Sequence, residues 1–599
     1  MKKFLSSVLS SFFGVILAVS VLFFLFFVIL FGLFSGLGEK ESIRIHDKAV
    51  LRIDINGPLP DRGSDEPRLV FSGNDFDLRE QTGLRHLLKS IEMAADDERI
   101  RGIYLHLGML APGAATLEEL RSQLSAFKAS GKFIVAYGEM VGEANYYLGS
   151  VADVLALHPA GLFEFNGLSS ERVFFKRALD RLGIKVQVFY VGKYKSATEP
   201  FRYDQMSDAI REQTRALLRS RKDHDLSAIA ASRNMPVQRL DSLQKALAVF
   251  SPEEALKAGL ADTLVYQDEL YKIMKRKAGI NTDSSDERLQ IVPLMKYYEK
   301  MKSDGKLIDL APDTMIAVVY AEGEIVMGKG SDGQIGSDTY IETLRKLREN
   351  KHVGAVVLRV NSPGGSALAS DAIWREIILL RKEKPVVVSM GNLAASGGYY
   401  ISAGADKIIA QSNTITGSIG IFGLWLNMGD LMTKKLGITS DTVKTAPYAD
   451  AGNIFRSMTP REEEVIQSYV NSGYRMFLEK VAQGRNLSVE EVNNIAQGRV
   501  WSGSDALEIG LVDRIGGLND AIAEAADLAG IRDYYTEIYP REKKFLDKLS
   551  DMFGTETAMQ SWLNSEEMKP FRTLIENADM LSRSGEHLFY RMPYDLIIK

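Results

Sequence analysis

Hydrophobic residues fall into two regimes along this chain. From Phe4 to Gly38 no charge interrupts a stretch dense in Phe, Leu, Val and Ile, which exceeds the ~20 apolar residues needed to span a bilayer. Lys2 and Lys3 precede it, and a removed signal would show a shorter apolar core with a small-residue cleavage site. The pattern predicts an uncleaved anchor over 1–38, lysines cytoplasmic and body outside the cytoplasm. Beyond it, short apolar runs alternate with helically spaced ones. Ala49–Ile55 reads as a strand, the Leu84, Leu87, Leu88, Ile91 spacing as a helix, and Gly102–Leu105 as a second strand. The same order recurs in Ile316–Tyr320, the Ile341, Leu344, Leu347 spacing and Ala355–Leu358. Pro385–Val388 reads as a further buried parallel strand.

The recurrence extends to local sequence. Ala111-Pro-Gly-Ala114 corresponds to Ser362-Pro-Gly-Gly365, and Ala144-Asn-Tyr-Tyr147 to Gly397-Gly-Tyr-Tyr400. Ser251–Asp262 mirrors Ser502–Asp513. An offset of about 250 residues marks a duplicated domain rather than a solenoid, and strands alternating with amphipathic helices imply parallel sheet. The expected layout is a first repeat over 48–277, a polar linker over 278–313, a second repeat over 314–533, and a tail over 534–599. The tail reads as charged helix-like pieces with scattered aromatics, suited to packing or assembly.

Composition narrows the chemistry. The chain has 599 residues, 45% hydrophobic and 25% charged, so it is globular and too long for one core. A net charge of −5 supplies no basic field for nucleic acid. Without a single cysteine there is no disulfide, thiolate nucleophile or Cys-bound metal. Asp and Glu show no metal-ligand spacing, and no phosphate loop stands out, so cofactor-free and metal-free chemistry is expected.

Gly391-Asn-Leu-Ala-Ala-Ser396-Gly-Gly-Tyr-Tyr400 sets one hydroxyl among small residues where a strand passes into a helix. Such a turn exposes the serine and leaves N–H groups free to hold an oxyanion, although it is not GxSxG. A serine attacks an amide only if a base removes its proton, and the seven histidines occupy no recurring Ser/Asp context. A lysine serves when burial disfavours its charged form. The repeats differ here in a telling way. The partner of Ser396 in the first repeat is Glu143, while Val191-Gly-Lys-Tyr-Lys195-Ser-Ala-Thr-Glu-Pro200 faces Tyr448 and Ala449 in the second. One copy kept a serine and the other a lysine, as a single shared site would leave behind. Lys193 is the rival base to Lys195.

Four motifs carry a resemblance: Asn361-Ser-Pro-Gly-Gly-Ser366, Ala394-Ala-Ser-Gly-Gly-Tyr399, Thr416-Gly-Ser-Ile-Gly-Ile-Phe-Gly423 and Tyr194-Lys-Ser-Ala-Thr-Glu-Pro200. With them, the chain up to about residue 533 resembles the signal peptide peptidase A (protease IV) family in its long duplicated form. The resemblance implies α/β architecture: tandem ClpP/crotonase-like domains behind an N-terminal transmembrane helix. It implies Ser396 as nucleophile, Lys195 as general base and Ser418 as the residue orienting the lysine. An oxyanion hole from Gly364 or Gly365 and Gly397 is implied too. Further implications are a homotetramer crossing a bacterial inner membrane once per chain, and substrates that are signal-peptide remnants and other apolar peptides. A crotonase-type acyl-CoA enzyme and a catalytically idle membrane scaffold are the alternatives, and a serine-trapping probe separates them.

Overall fold

The computed structural model describes residues 21, 43–64, 68–72, 75–79, 81–110, 112–282, 287–306, 312–541 and 588–591. The anchor expected over 1–38 lies outside them, apart from Val21. Among the described residues no helix is long and apolar enough to cross a membrane. Asp47–Lys599 forms one compact unit.

Each repeat is built on a sheet, all parallel in the first and parallel but for the Val500–Ser502 edge strand in the second, whose central strands are apolar on both faces. In the first sheet the order is Thr263–Leu264, Val154–Phe163, Phe133–Val141, Ile100–Leu110, Ala49–Gly57, Ile291–Pro293. All its pairings are parallel. The second sheet runs Val500–Ser502, Ile415–Gly417, Val386–Ala395, Val353–Ser362, Met315–Glu322, Tyr535–Tyr539, with Lys407–Ala410 and Arg514–Ile515 branching from it. Leu84, Leu87, Leu88 and Ile91 are buried along the Leu84–Asp96 helix, as their spacing requires.

The duplication extends to side-chain detail. Two 26-residue helices, Asp208–Arg233 and Pro460–Arg485, start at hydroxyl caps, Ser207 and Thr459, and stop at left-handed Asn234 and Asn486. Their last arginines hold equivalent aspartates: Arg233 Nη1 to Asp262 Oδ2 at 2.9 Å and Arg485 Nη1 to Asp513 Oδ2 at 2.7 Å. Each aspartate also accepts a strand N–H, from Leu155 and Ile408 respectively.

Two expected boundaries differ in their structure. The segment read as linker, 278–313, contributes the Ile291–Pro293 strand, paired with Ala49–Gly57, and the Leu294–Ser303 helix. That helix, expected as a charged helical patch near Tyr297 to Lys302, buries Leu294, Tyr297, Tyr298 and Met301 along one stripe between its lysines and glutamate. The segment read as helical tail supplies two strands, Tyr535–Tyr539 beside Met315–Glu322 and Leu588–Arg591 in a third sheet. Partner strands in both cases lie far away in sequence, so local periodicity carries little of the signal.

The repeats are locked together by a buried ionic knot. Arg359 of the second repeat is 1% exposed. It donates to Asp61 at 3.0 and 3.3 Å, to Glu119 at 2.8 Å and to Ser389 Oγ at 2.9 Å. Asp61 and Glu119 come from the first repeat and are themselves buried. Arg359→Ala leaves two carboxylates unpaired in a dry interface and should cost about 3–5 kcal/mol. Chemical denaturation of the variant checks this, and a loss below about 1 kcal/mol would contradict it.

Candidate active site

A third sheet, assembled from both repeats, brings the site residues together. Its order is Gln334–Gly336, Glu324–Val326, Gly364–Ser366, Leu588–Arg591, Phe422–Asn427, Lys185–Tyr190. The first-repeat strand Lys185–Tyr190 pairs antiparallel with Phe422–Asn427 of the second over six residues. The chain then turns at Gly192, whose φ of 96° suits only glycine, and delivers Lys195 into the second repeat.

Ser396 ends the Val386–Ala395 strand and caps the Gly397–Ser402 helix. Its φ of 56° is strained for a side-chain-bearing residue. The strain is held by its own N–H, which donates to the Gly417 carbonyl at 2.8 Å, and by Tyr400 N–H on its carbonyl at 2.8 Å. Asn392, four residues earlier, reaches into the first repeat. Its Oδ1 accepts from Thr116 N–H at 2.9 Å and its Nδ2 donates to Thr116 Oγ1 at 2.7 Å, so one repeat caps a helix of the other. Gly398 packs its bare Cα against the Ser362 turn, where a Cβ would sit 2.7 Å from the Ser362 carbonyl oxygen.

Lys195 Nζ lies 2.9 Å from Ser396 Oγ and 3.2 Å from both Ser418 Oγ and the Ser418 carbonyl oxygen. Lys195, Ser396 and Ser418 are all buried, at 1%, 0% and 0% exposure. Burial pushes the Lys195 pKa well below the ordinary lysine value. A neutral amine has two N–H donors and one lone pair. Ser418 offers two acceptors, which leaves the lone pair for the Ser396 hydroxyl proton. Ser418, at φ 50°, is fixed by its N–H on the Arg499 carbonyl at 2.7 Å.

Lys193 is exposed and sits over the Tyr194 ring at 4.8 Å, so Lys195 is the lysine brought to the serine. Of the expected oxyanion donors, Gly397 begins the helix, where its N–H has no intrahelical partner. Gly364, at φ 94°, donates to Ser362 Oγ at 3.1 Å, and Gly365 abuts Ile325 where a Cβ would fall 2.0 Å from a carbonyl oxygen. The equivalent turn of the first repeat is plugged. The Glu143 carboxylate accepts from Gly167 N–H at 2.5 Å and from Gln244 Nε2 at 3.0 Å, and burial pushes its pKa up. Tyr448, opposite Lys195 by repeat alignment, is on an exposed loop.

Sequence reasoning missed the floor beneath the lysine. Tyr194 N–H donates to the Gln497 carbonyl at 2.9 Å, and a Cβ on Gly498 would lie 2.7–2.8 Å from Lys195 N, Cα and Cβ. Gly420 closes the other side, a Cβ there meeting Lys195 Cδ at 3.2 Å. The only available signal was the Gln497-Gly498 pair just after the Val489–Ile495 helix.

A turn serine thus faces a buried lysine across tandem sheets, and the Clp protease family model matches residues 311–415. The model of peptidase family S49 matches twice, over 126–281 and 378–532, together just over half of the chain. The chain belongs to peptidase family S49 and is a serine protease of that family. It is similar to Protease 4 of Salmonella typhi, 34% identical over 557 residues, covering 90% of this chain and 88% of that protein. Protease 4 of Haemophilus influenzae is 33% identical, covering 96% of each chain. The chloroplastic serine protease SPPA of Arabidopsis thaliana is 34% identical, covering 82% of this chain and 70% of that protein.

The glycine floor generates a test. Gly498→Ala should displace Lys195 by some tenths of an ångström or more and cut peptide hydrolysis about 100-fold. Gly530→Ala is the control: its φ of 66° is equally unfavourable, but a Cβ there meets nothing within 4 Å. Equal activity in the two variants would remove Gly498 from the site's support.

Proposed function

We propose that this chain is a membrane-anchored endopeptidase in which Ser396 and Lys195 form a catalytic dyad split between the repeats. The 2.9 Å contact of Lys195 Nζ with Ser396 Oγ, inside a pocket whose burial disfavours the charged amine, carries this reading. In the reaction Ser396 Oγ attacks the peptide carbonyl carbon while its proton passes to Lys195 Nζ. The carbonyl oxygen becomes an oxyanion, received by N–H groups of Gly397 and of Gly364 or Gly365. An oxyanion that takes the Gly364 donor replaces the Ser362 acceptor with a charged one. Lys195 then returns the proton to the leaving amine, the C–N bond breaks, and water hydrolyses the acyl-serine by the same relay. Ser418 keeps the lone pair on Ser396 by holding both amine hydrogens.

The substrates proposed are signal-peptide remnants and other apolar peptides. The apolar cluster of Ala197, Phe422 and Leu424, with Val186, Tyr190, Phe201 and Leu426 packed against it, borders the lysine loop and favours apolar side chains. Lys2, Lys3 and the uncharged run after them support single-pass anchoring with the body outside the cytoplasm. Assembly as a homotetramer belongs to the same reading.

Ser396→Ala should reduce peptide hydrolysis about 10⁴-fold or more, with thermal stability nearly unchanged because one hydroxyl is removed. Retention of a tenth of the turnover would sink the dyad, and a phosphonylating probe should label Ser396 alone. For the base, the active form is neutral, so the rate should fall as pH drops through the lowered Lys195 pKa, a limb lying well below the ~10.4 of a free lysine. The same shift sets a stability trend. Between the folded and unfolded pKa values the unfolded chain binds a proton that the folded chain does not, so wild-type stability rises with pH across that window. Lys195→Met should abolish hydrolysis and remove that rise. Its stability relative to wild type should be greatest near neutrality and decline toward pH 11, as paired denaturation curves would read. A parallel pH dependence in both proteins would mean that Lys195 is charged in the folded state.

A further inference from the structure

The residue after Gly498 is tied to both sides of the lysine pocket. Its carbonyl accepts from Ser418 N–H at 2.7 Å, which fixes the serine that holds the amine. The Arg499 guanidinium lies between two rings, Cζ being 5.0 Å from the Tyr194 centroid and 4.2 Å from that of Trp501. Nη1 donates to Tyr194 Oη and to Glu212 Oε1, both at 3.3 Å. Tyr194 Oη donates to the same carboxylate at 3.3 and 3.5 Å. Tyr194 immediately precedes Lys195 and is buried. Its N–H is held by the Gln497 carbonyl and its ring by Arg499, so backbone and side chain are fixed by the same short segment. A planar guanidinium suits this place, because it can stack on ring faces while its edge donates sideways.

The clasp joins the repeats. Arg499 and Val500 belong to the second, Tyr194, Glu212 and Gln213 to the first. Beside the Arg499–Glu212 contact, Val500 N–H donates to the buried Gln213 Oε1 at 2.9 Å. The groups against the Lys195 side chain itself, Ser396, Ser418, Gly420 and Gly498, carry no charge. In the loop and around the floor, the titratable and charged side chains are Lys193, Tyr194, Glu199, Glu212, Tyr474 and Arg499. Burial is the cause that lowers the Lys195 pKa, so neutrality of the amine depends on how closely the loop is held down.

We propose that Arg499 is a positioning residue for Lys195: by clamping Tyr194 against Trp501 and Glu212, it holds the lysine loop of one repeat on the Ser418 turn of the other. The inference rests on the reading of Lys195 as the base. Arg499 reaches no reacting atom. Its loss loosens the loop, admits water to the amine and raises the pH at which the amine becomes neutral.

The test uses full-length chains carrying Arg499→Met, compared with wild type across pH. For an apolar peptide, kcat should fall about 30-fold at neutral pH with KM little changed. The acidic limb of the kcat/KM profile should move up by about one pH unit, so the deficit narrows as pH rises. Arg499→Lys, which keeps a cation for the rings, should recover part of both effects. Glu212→Ala removes one anchor at an exposed carboxylate and should move the limb the same way by less. That variant carries the test if Arg499→Met melts below wild type. Full activity in the variants, or a loss equal at every pH with the limb unmoved, would overturn the proposal. A wild-type profile without an acidic limb, or hydrolysis by Lys195→Met, would instead remove Lys195 as base. A wild-type limb that neither Arg499→Met nor Glu212→Ala displaces would remove the clamp alone.

Discussion

Keeping water from a lysine disfavours its charged form, and the seclusion of Lys195 is the constraint on which the rest of this fold depends. Lys195 sits at 1% exposure with Ser396 and Ser418 as hydrogen-bond partners and glycines on either side. Any larger residue at Gly498 or Gly420 would crowd the side chain; a looser floor would admit water and let the amine hold its proton. Dryness therefore comes from close packing of two repeats, each contributing what the other lacks.

That packing is tied at several points around the pocket. Asn392 caps a first-repeat helix four residues before Ser396, and Arg359 knots two first-repeat carboxylates three residues before the Ser362 turn. The Lys185–Tyr190 strand is stitched to Phe422–Asn427 just ahead of the lysine loop. Each tie sits a few residues upstream of a site residue. Movement between the repeats would thus reach the Lys195–Ser396 contact directly, whereas the Glu143 plug closes the first repeat's own turn.

Much of this was legible in the sequence because it is written locally. The strands around Val50, Val318 and Val387, the helix stripe at Leu84–Ile91 and the loops bearing Ser396, Lys195 and Ser418 all carry their signal within about ten residues. Other features depend on partners far along the chain. Nothing around Arg359 announces Asp61 and Glu119, and nothing around Gly498 announces Lys195. The Leu294–Ser303 helix hid its apolar stripe among charges. Leu588–Arg591 is four residues whose strand character exists only between two waiting edges, so it read as scattered aromatics.

The division of the proposed dyad between the repeats also has a temporal side. Lys195 and Ser396 are 201 residues apart, and at about 5–20 residues per second a ribosome would deliver the serine roughly 10–40 s after the lysine. During that interval the nascent chain holds Lys195 without Ser396, and its first repeat has only the Glu143 turn to offer. The proposed site must await the Gln497–Arg499 floor, which is made later still. With the proposed dyad, a growing chain would be unable to hydrolyse its neighbours before both repeats have been made.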